Sequence, residues 1–178
     1  MEYLSVALTV GLFAAVGSAA YAALFGAPWV PTRQAERKSL AELADLAPGE
    51  KFYDLGSGTG TILFDLARSR PDVEFVGVEI SLLPYLYSKA RQLLGARHYR
   101  NVKIFFRDLY RFDISAADAV FVFLVAKRHQ VVAQKLAHEA KPTCRIIVEA
   151  WPIEGIEPLK TQKTEKSLSL FLYRGDQF

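Results

Sequence analysis

A single cysteine, Cys144, in a chain of 178 residues leaves no partner for an intrachain disulfide and no second thiolate for a two-cysteine metal site. The three histidines, His98, His129 and His138, stand at no spacing that a shared metal would require, so each reads as a surface or helix-cap residue and no metal is expected. No Gly-Lys-Ser or Gly-Lys-Thr follows any glycine run, which excludes a phosphate-binding P-loop. Internal repeats and low-complexity tracts are also missing, and the length accommodates one core on a prior of roughly 100 to 200 residues per domain. Positive charge is absent from one end of the chain. All 22 Lys and Arg residues lie at or beyond Arg33, although the net charge is a modest +3.

Between Tyr3 and Thr32 no residue of either sign occurs. As a helix, the apolar run 4–27 would be about 36 Å long, enough for a hydrocarbon core of about 30 Å with some tilt. A cleaved signal peptide would begin with a basic segment, whereas the only charge ahead of this run is Glu2. The expectation is a transmembrane anchor at 1–27 in contact with lipid, a linker and short helix at 28–50, and a domain at 51–178. Arg33, Arg37 and Lys38 follow closely, and such residues are retained on the cytoplasmic side. A single-pass membrane protein with its domain on that side is expected.

Beyond this point apolar runs alternate with longer amphipathic stretches, the pattern of a mostly parallel sheet flanked by helices. Strands are expected at 51–55, 73–78, 102–106, 119–124 and 145–150. Helices are expected at 33–46, with Thr32 as its N-cap, and at 61–69, 82–94 and 129–139. Pro84 is harmless in the first turn of the third, where its missing N–H has no partner to lose. The stretch 159–173 reads as a hairpin, and its run of apolar residues at 168–173 suggests a strand covered on both faces.

Chemistry concentrates where the first strand enters the second helix. Tyr53-Asp54-Leu55-Gly56-Ser57-Gly58-Thr59-Gly60 places bare backbone and helix N–H groups where a carboxylate or phosphate can approach. The dinucleotide fingerprint needs a third glycine where Thr61 stands, so NAD is disfavoured. Glu79 follows the second strand, where a carboxylate accepts from both hydroxyls of an adenosine ribose, and Asp108 follows the third. Three strand ends thus present acids to one crevice, which implies a nucleoside ligand.

These residues resemble the class I methyltransferases that use S-adenosylmethionine, over essentially all of 33–178. The resemblance implies a Rossmann-like α/β sheet, mostly parallel with a C-terminal antiparallel hairpin. It further implies that Gly56 and Gly58 contact the methionyl portion, Asp54 helps hold its amino group, Glu79 takes the ribose and Asp108 lies near the adenine. Ser57, Gly60 and Leu109 complete the cofactor-binding set.

The turn Gly26-Ala27-Pro28-Trp29-Val30-Pro31-Thr32, with Val76-Gly77-Val78-Glu79-Ile80 and Phe123-Leu124-Val125, is similar to a narrower group. That group comprises the small archaeal protein-lysine methyltransferases and the membrane-anchored mitochondrial lysine methyltransferases of the ATP synthase c subunit and the adenine nucleotide translocase. Two positions depart from its pattern: Thr59, where an acid is common, and Ile156, where a tryptophan often precedes the proline. The implied activity is lysine methylation of a protein, plausibly a membrane-embedded one. Trp29, Tyr85 and Trp151 are the candidate catalytic residues, forming the walls of a lysine channel. Alternatives are methylation of RNA or of a small or lipid-linked molecule, or a non-catalytic interaction module. The fourth strand's end lacks an Asn-Pro-Pro-aromatic motif, and the basic group Arg97, Arg100, Lys103, Arg107 and Arg111 reads as a solvated face, so nucleic acid is an unlikely partner.

Overall fold

The computed structural model describes residues 2–25, 34–125, 128–163 and 168–178. In chain order the elements are α1 (Glu2–Phe25), α2 (Gln34–Ala44), β1 (Lys51–Leu55), α3 (Thr61–Ser69), β2 (Glu74–Glu79), α4 (Leu82–Leu94) and β3 (Val102–Phe106). They continue with β4 (Ala119–Val122), α5 (His129–Glu139), β5 (Arg145–Glu149), β6 (Lys160–Gln162), β7 (Leu170–Arg174) and a closing 3₁₀ turn, Gly175–Gln177. Trp29, Thr32 and the turn at 26–32 lie outside the described residues.

One seven-stranded sheet runs in the order β3-β2-β1-β4-β5-β7-β6. Its first five strands are parallel; β7 pairs antiparallel with both β5 and β6, as the hairpin expectation required. The order in which strands are added to the sheet reverses between β1 and β4, which opens a crevice at the carboxyl ends of those parallel strands. Alternation along the strands divides the core in two. Phe52, Phe75, Phe121 and Ile147 face Leu40 and Leu43 of α2 and Leu63 and Phe64 of α3. Leu55, Val78, Val122 and Val148 face Val132 and Leu136 of α5 on the other side.

Gly77 in β2 shows how tightly α3 and the loop before it settle on the sheet. It pairs with Asp54 of β1, and a side chain there would strike the Cδ1 of Leu63 and lie 2.8 Å from the Oγ of Ser57. Only the bare backbone allows both to rest against the strand.

The N-terminal expectation needs correction. Residues 2–25 do form a helix, and it lies alongside α4 with Leu4, Val6, Leu8, Val10 and Leu12 exposed. Among the described residues, however, no helix is long and apolar enough to cross a membrane. The physical reason lies in how the apolar residues are distributed. Strongly apolar side chains alternate with small ones only through residues 4–16, about 20 Å of helix, and 17–23 is Gly, Ser, Ala and one Tyr. The transmembrane helix is therefore withdrawn, and with it the single-pass topology and the cytoplasmic placement that were inferred from it.

Gly77→Ala is expected to lower stability by about 1 to 3 kcal/mol, the usual cost of overpacking a filled core. Urea unfolding would show it as a reduced midpoint at unchanged slope; an unaltered midpoint would mean that Leu63 and Ser57 have room to move.

Candidate active site

The loop leaving β1 is stitched to β2 before it reaches α3. The N–H groups of Gly56 and Ser57 both donate to the carbonyl oxygen of Val78, at 2.9 and 3.0 Å, and Gly60 N–H closes a turn onto Ser57 O at 2.8 Å. Gly56, Gly58 and Gly60 all have positive φ (92°, 54° and 72°), which glycine adopts without steric cost. At Gly60 a Cβ would lie 2.6 Å from the Phe64 ring. α3 then begins without a side-chain cap, so the N–H groups of its first turn remain available to an anion at the loop.

Glu79, the last residue of β2, is buried. Its Oε2 accepts the Gly58 N–H at 2.7 Å and its Oε1 the Ser81 N–H at 2.6 Å, tying the loop to the start of α4. Asp54 is also buried, and its carboxyl is pushed up to about 8, first by burial and then by the charges of Glu79 and Glu149. Ser57 is buried with its Oγ lacking any hydrogen-bond partner. Asp108, half-buried after β3, accepts the Tyr110 N–H at 2.9 Å, and Leu109 beside it is buried. Arg107 N–H donates to Glu79 O at 3.1 Å, which keeps the ends of β2 and β3 together.

The structure brings Asp54, Ser57, Glu79 and the three glycines to one crevice, with Asp108 at its β3 side. It separates two of the proposed aromatic walls. The Tyr85 ring packs on Phe106, 5.2 Å between centroids, at the end of β3. Trp151, 45% exposed, follows β5, which is four strands away, or about 19 Å at the usual strand spacing. Two further residues mark the Trp151 side. Glu149, the last residue of β5, is 0% exposed, and Ala150 has a φ of 78°, a left-handed conformation uncommon outside glycine. The strand-end rule that selects Asp54, Glu79 and Asp108 also selects Glu149. His129, expected at the surface or in a cap, begins α5 but is buried.

The residues present suit a ligand with a carboxylate, cationic groups and ribose hydroxyls. Open helix N–H groups meet the first, the acids Asp54 and Glu79 the others, and the orphan Ser57 hydroxyl has a partner to gain. Sheet order, glycine loop and acid partner together define an S-adenosylmethionine-dependent methyltransferase of class I. The family model described as the ANTKMT methyltransferase domain matches residues 54–160, and the chain belongs to that family. It is 29% identical over 142 residues to a protein-lysine N-methyltransferase of Saccharolobus islandicus (strain REY15A), covering 78% of this chain and 85% of that protein. An RNA methyltransferase from Salinibacter ruber, solved with S-adenosyl-L-homocysteine, superposes with a TM-score of 0.76 at 26% identity, over 82% of this chain and 93% of that one. A methyltransferase from Geobacter sulfurreducens, also holding S-adenosyl-L-homocysteine, shares the fold at a TM-score of 0.56 and 21% identity, over 77% and 53% of the two chains.

Asp54 is expected to make cofactor binding proton-linked. With its carboxyl near 8 in the free protein, it is protonated at pH 7. Positive charge arriving beside it favours the carboxylate and expels the proton. Affinity should therefore rise with pH up to about 8 and level off above it. Calorimetry at pH 7 in buffers of different ionisation enthalpy should detect about one proton released, and Asp54→Asn should abolish that release. Glu79→Gln leaves one oxygen to serve two N–H groups, and is expected to weaken cofactor binding about tenfold. Unchanged affinity would remove Glu79 from the cofactor site.

Proposed function

We propose that this enzyme methylates the ε-amine of lysine in a protein substrate. S-adenosylmethionine supplies a methyl group made electrophilic by its sulfonium. The chain has then to align donor and acceptor about 3 to 3.5 Å apart, exclude water, and accept the amine in its neutral form. Neutralising a lysine of pKa about 10.4 near pH 7.4 costs roughly 4 kcal/mol. Desolvation against an aromatic wall beside a sulfonium reduces that cost. The observation that carries the reading is Trp151, a half-open indole at the acceptor end of the sheet, on a turn that departs from the buried Glu149. The lysine specificity of the Saccharolobus relative supports it.

In this reading Asp54, Ser57 and the glycines hold the methionyl part, Glu79 the ribose, and Asp108 and Leu109 the adenine side. Tyr85, on Phe106, belongs with the adenine side, and Trp151 faces the acceptor. A membrane-embedded substrate, expected from the resemblance together with the anchor, loses the anchor's support. The Salinibacter neighbour favours RNA as a second reading. Against it, Arg97 and Arg100 precede β3, at the opposite end of the strands from the crevice, and Lys103 is engaged by Glu74 at 3.0 Å, which leaves Arg107 and Arg111 as the members of that basic group beyond the crevice end of β3.

Incubation of a cell extract with the enzyme and tritium-labelled S-adenosylmethionine should place label in protein as methyl-lysine, resistant to ribonuclease. Loss of label to ribonuclease would establish the RNA reading instead. Trp151→Ala should slow the transfer about tenfold or more at unchanged cofactor affinity; normal turnover would make Trp151 a packing residue.

A further inference from the structure

His129 is 4% exposed, and both of its ring nitrogens point at backbone carbonyl oxygens. Nε2 lies 3.2 Å from Leu124 O and Nδ1 3.3 Å from Pro152 O. A carbonyl oxygen only accepts, so the ring joins the two carbonyls at once when both nitrogens carry a hydrogen, whereas a neutral ring donates to one of them.

These two carbonyls lie beyond different strands. Leu124 is two residues past the end of β4, and its Cδ2 stands 3.9 Å from the point where a side chain on Gly56 would begin. Pro152 directly follows Trp151. The Trp151 turn is braced elsewhere by Ala150 N–H donating to Ser169 O and Ile153 N–H donating to the Tyr173 hydroxyl, both at 2.9 Å. Those two bonds fix the turn to the hairpin side of the sheet. The ring of His129 adds a hydrogen-bonding link from this turn to the β4 end, and through Leu124 to the cofactor loop, beside the apolar packing of Ile153 with Leu124.

We propose that His129 is a positioning residue, tying the turn that carries Trp151 to the end of β4 and so holding the acceptor wall in register with the cofactor loop. Its effect on turnover rests on the lysine reading above; its geometry does not. A phenylalanine at this position keeps the ring and loses both donors. A glutamine amide has two N–H groups and reaches a comparable distance, so it restores the tie.

Protein labelled with 5-fluorotryptophan tests this directly, the Trp151 signal being assigned by its loss in Trp151→Phe. In His129→Phe that ¹⁹F signal should move or broaden, and kcat for transfer to protein should fall about tenfold while the cofactor Kd stays the same. His129→Gln should recover most of both. An unmoved Trp151 signal, an unaltered kcat, or an equal loss of cofactor affinity in His129→Phe would overturn the proposal. If circular dichroism shows His129→Phe unfolded, His129→Asn takes its place, since its shorter amide falls short of one carbonyl. A displaced ¹⁹F signal in a protein whose wild type forms no methyl-lysine would retain the tie and reject the lysine reading.

Discussion

The carboxylate of Glu79 divides its two oxygens between two backbone N–H groups, and the cofactor side of the molecule is organised around that division. One oxygen holds Gly58, in the middle of the loop; the other holds Ser81, where α4 begins. A carboxylate buried in this way is tolerable only because charge-assisted hydrogen bonds replace its lost water. In return it fixes the start of α4 against the loop and adds to the bonds from Gly56 and Ser57 that already hold the loop to β2. The glycines supply the left-handed turns between those fixed points, and Gly77 supplies the space beneath them.

Asp54 is one strand away and behaves differently for a definite reason. No backbone N–H among the described residues compensates it as Gly58 and Ser81 compensate Glu79, so burial and the neighbouring acids raise its proton affinity instead. The crevice therefore holds one acid that is satisfied internally and one that is not. The second kind stores an unmet demand for positive charge, which a cationic ligand meets. In the proposed site this asymmetry would select for charge as well as shape, since a neutral nucleoside would leave Asp54 unchanged.

Much of this was legible in the residues. The bounds of β1, β3, α3, α4 and α5 coincide with those expected, because strand and helix periodicities there are unmixed, and at β1, α3 and α4 Gly or Ser also punctuates the ends. β4 is shorter than its apolar run: Phe123 and Leu124 continue the pattern but leave the sheet, and Leu124 instead reaches the glycine loop and His129. The acids of the crevice follow from a rule about strand ends, and that rule, carried to β5, selects Glu149. His129 had no comparable signal. Its partners are carbonyl oxygens 5 and 23 residues away, and a backbone carbonyl has no residue type to read. The N-terminal helix was legible as a helix, but its length was weighed without regard to where the strongly apolar side chains fall within it.

Ala150 shows what the turn after β5 costs. A left-handed alanine is strained by about 1 to 3 kcal/mol, and an extended conformation would relieve it. Continuing β5 by one more extended residue would keep strict alternation and send the following side chains on along the sheet. The left-handed residue instead breaks the strand immediately after Glu149, so that a fully buried carboxyl and a half-open indole stand two residues apart. Such a turn persists only if its surroundings hold it, and the hydrogen bonds from Ala150, Ile153 and His129 are placed on either side of Trp151 to do so. The strain and the bracing are thus two parts of one arrangement, in which stability is given up at Ala150 to set the direction of the residue that follows it.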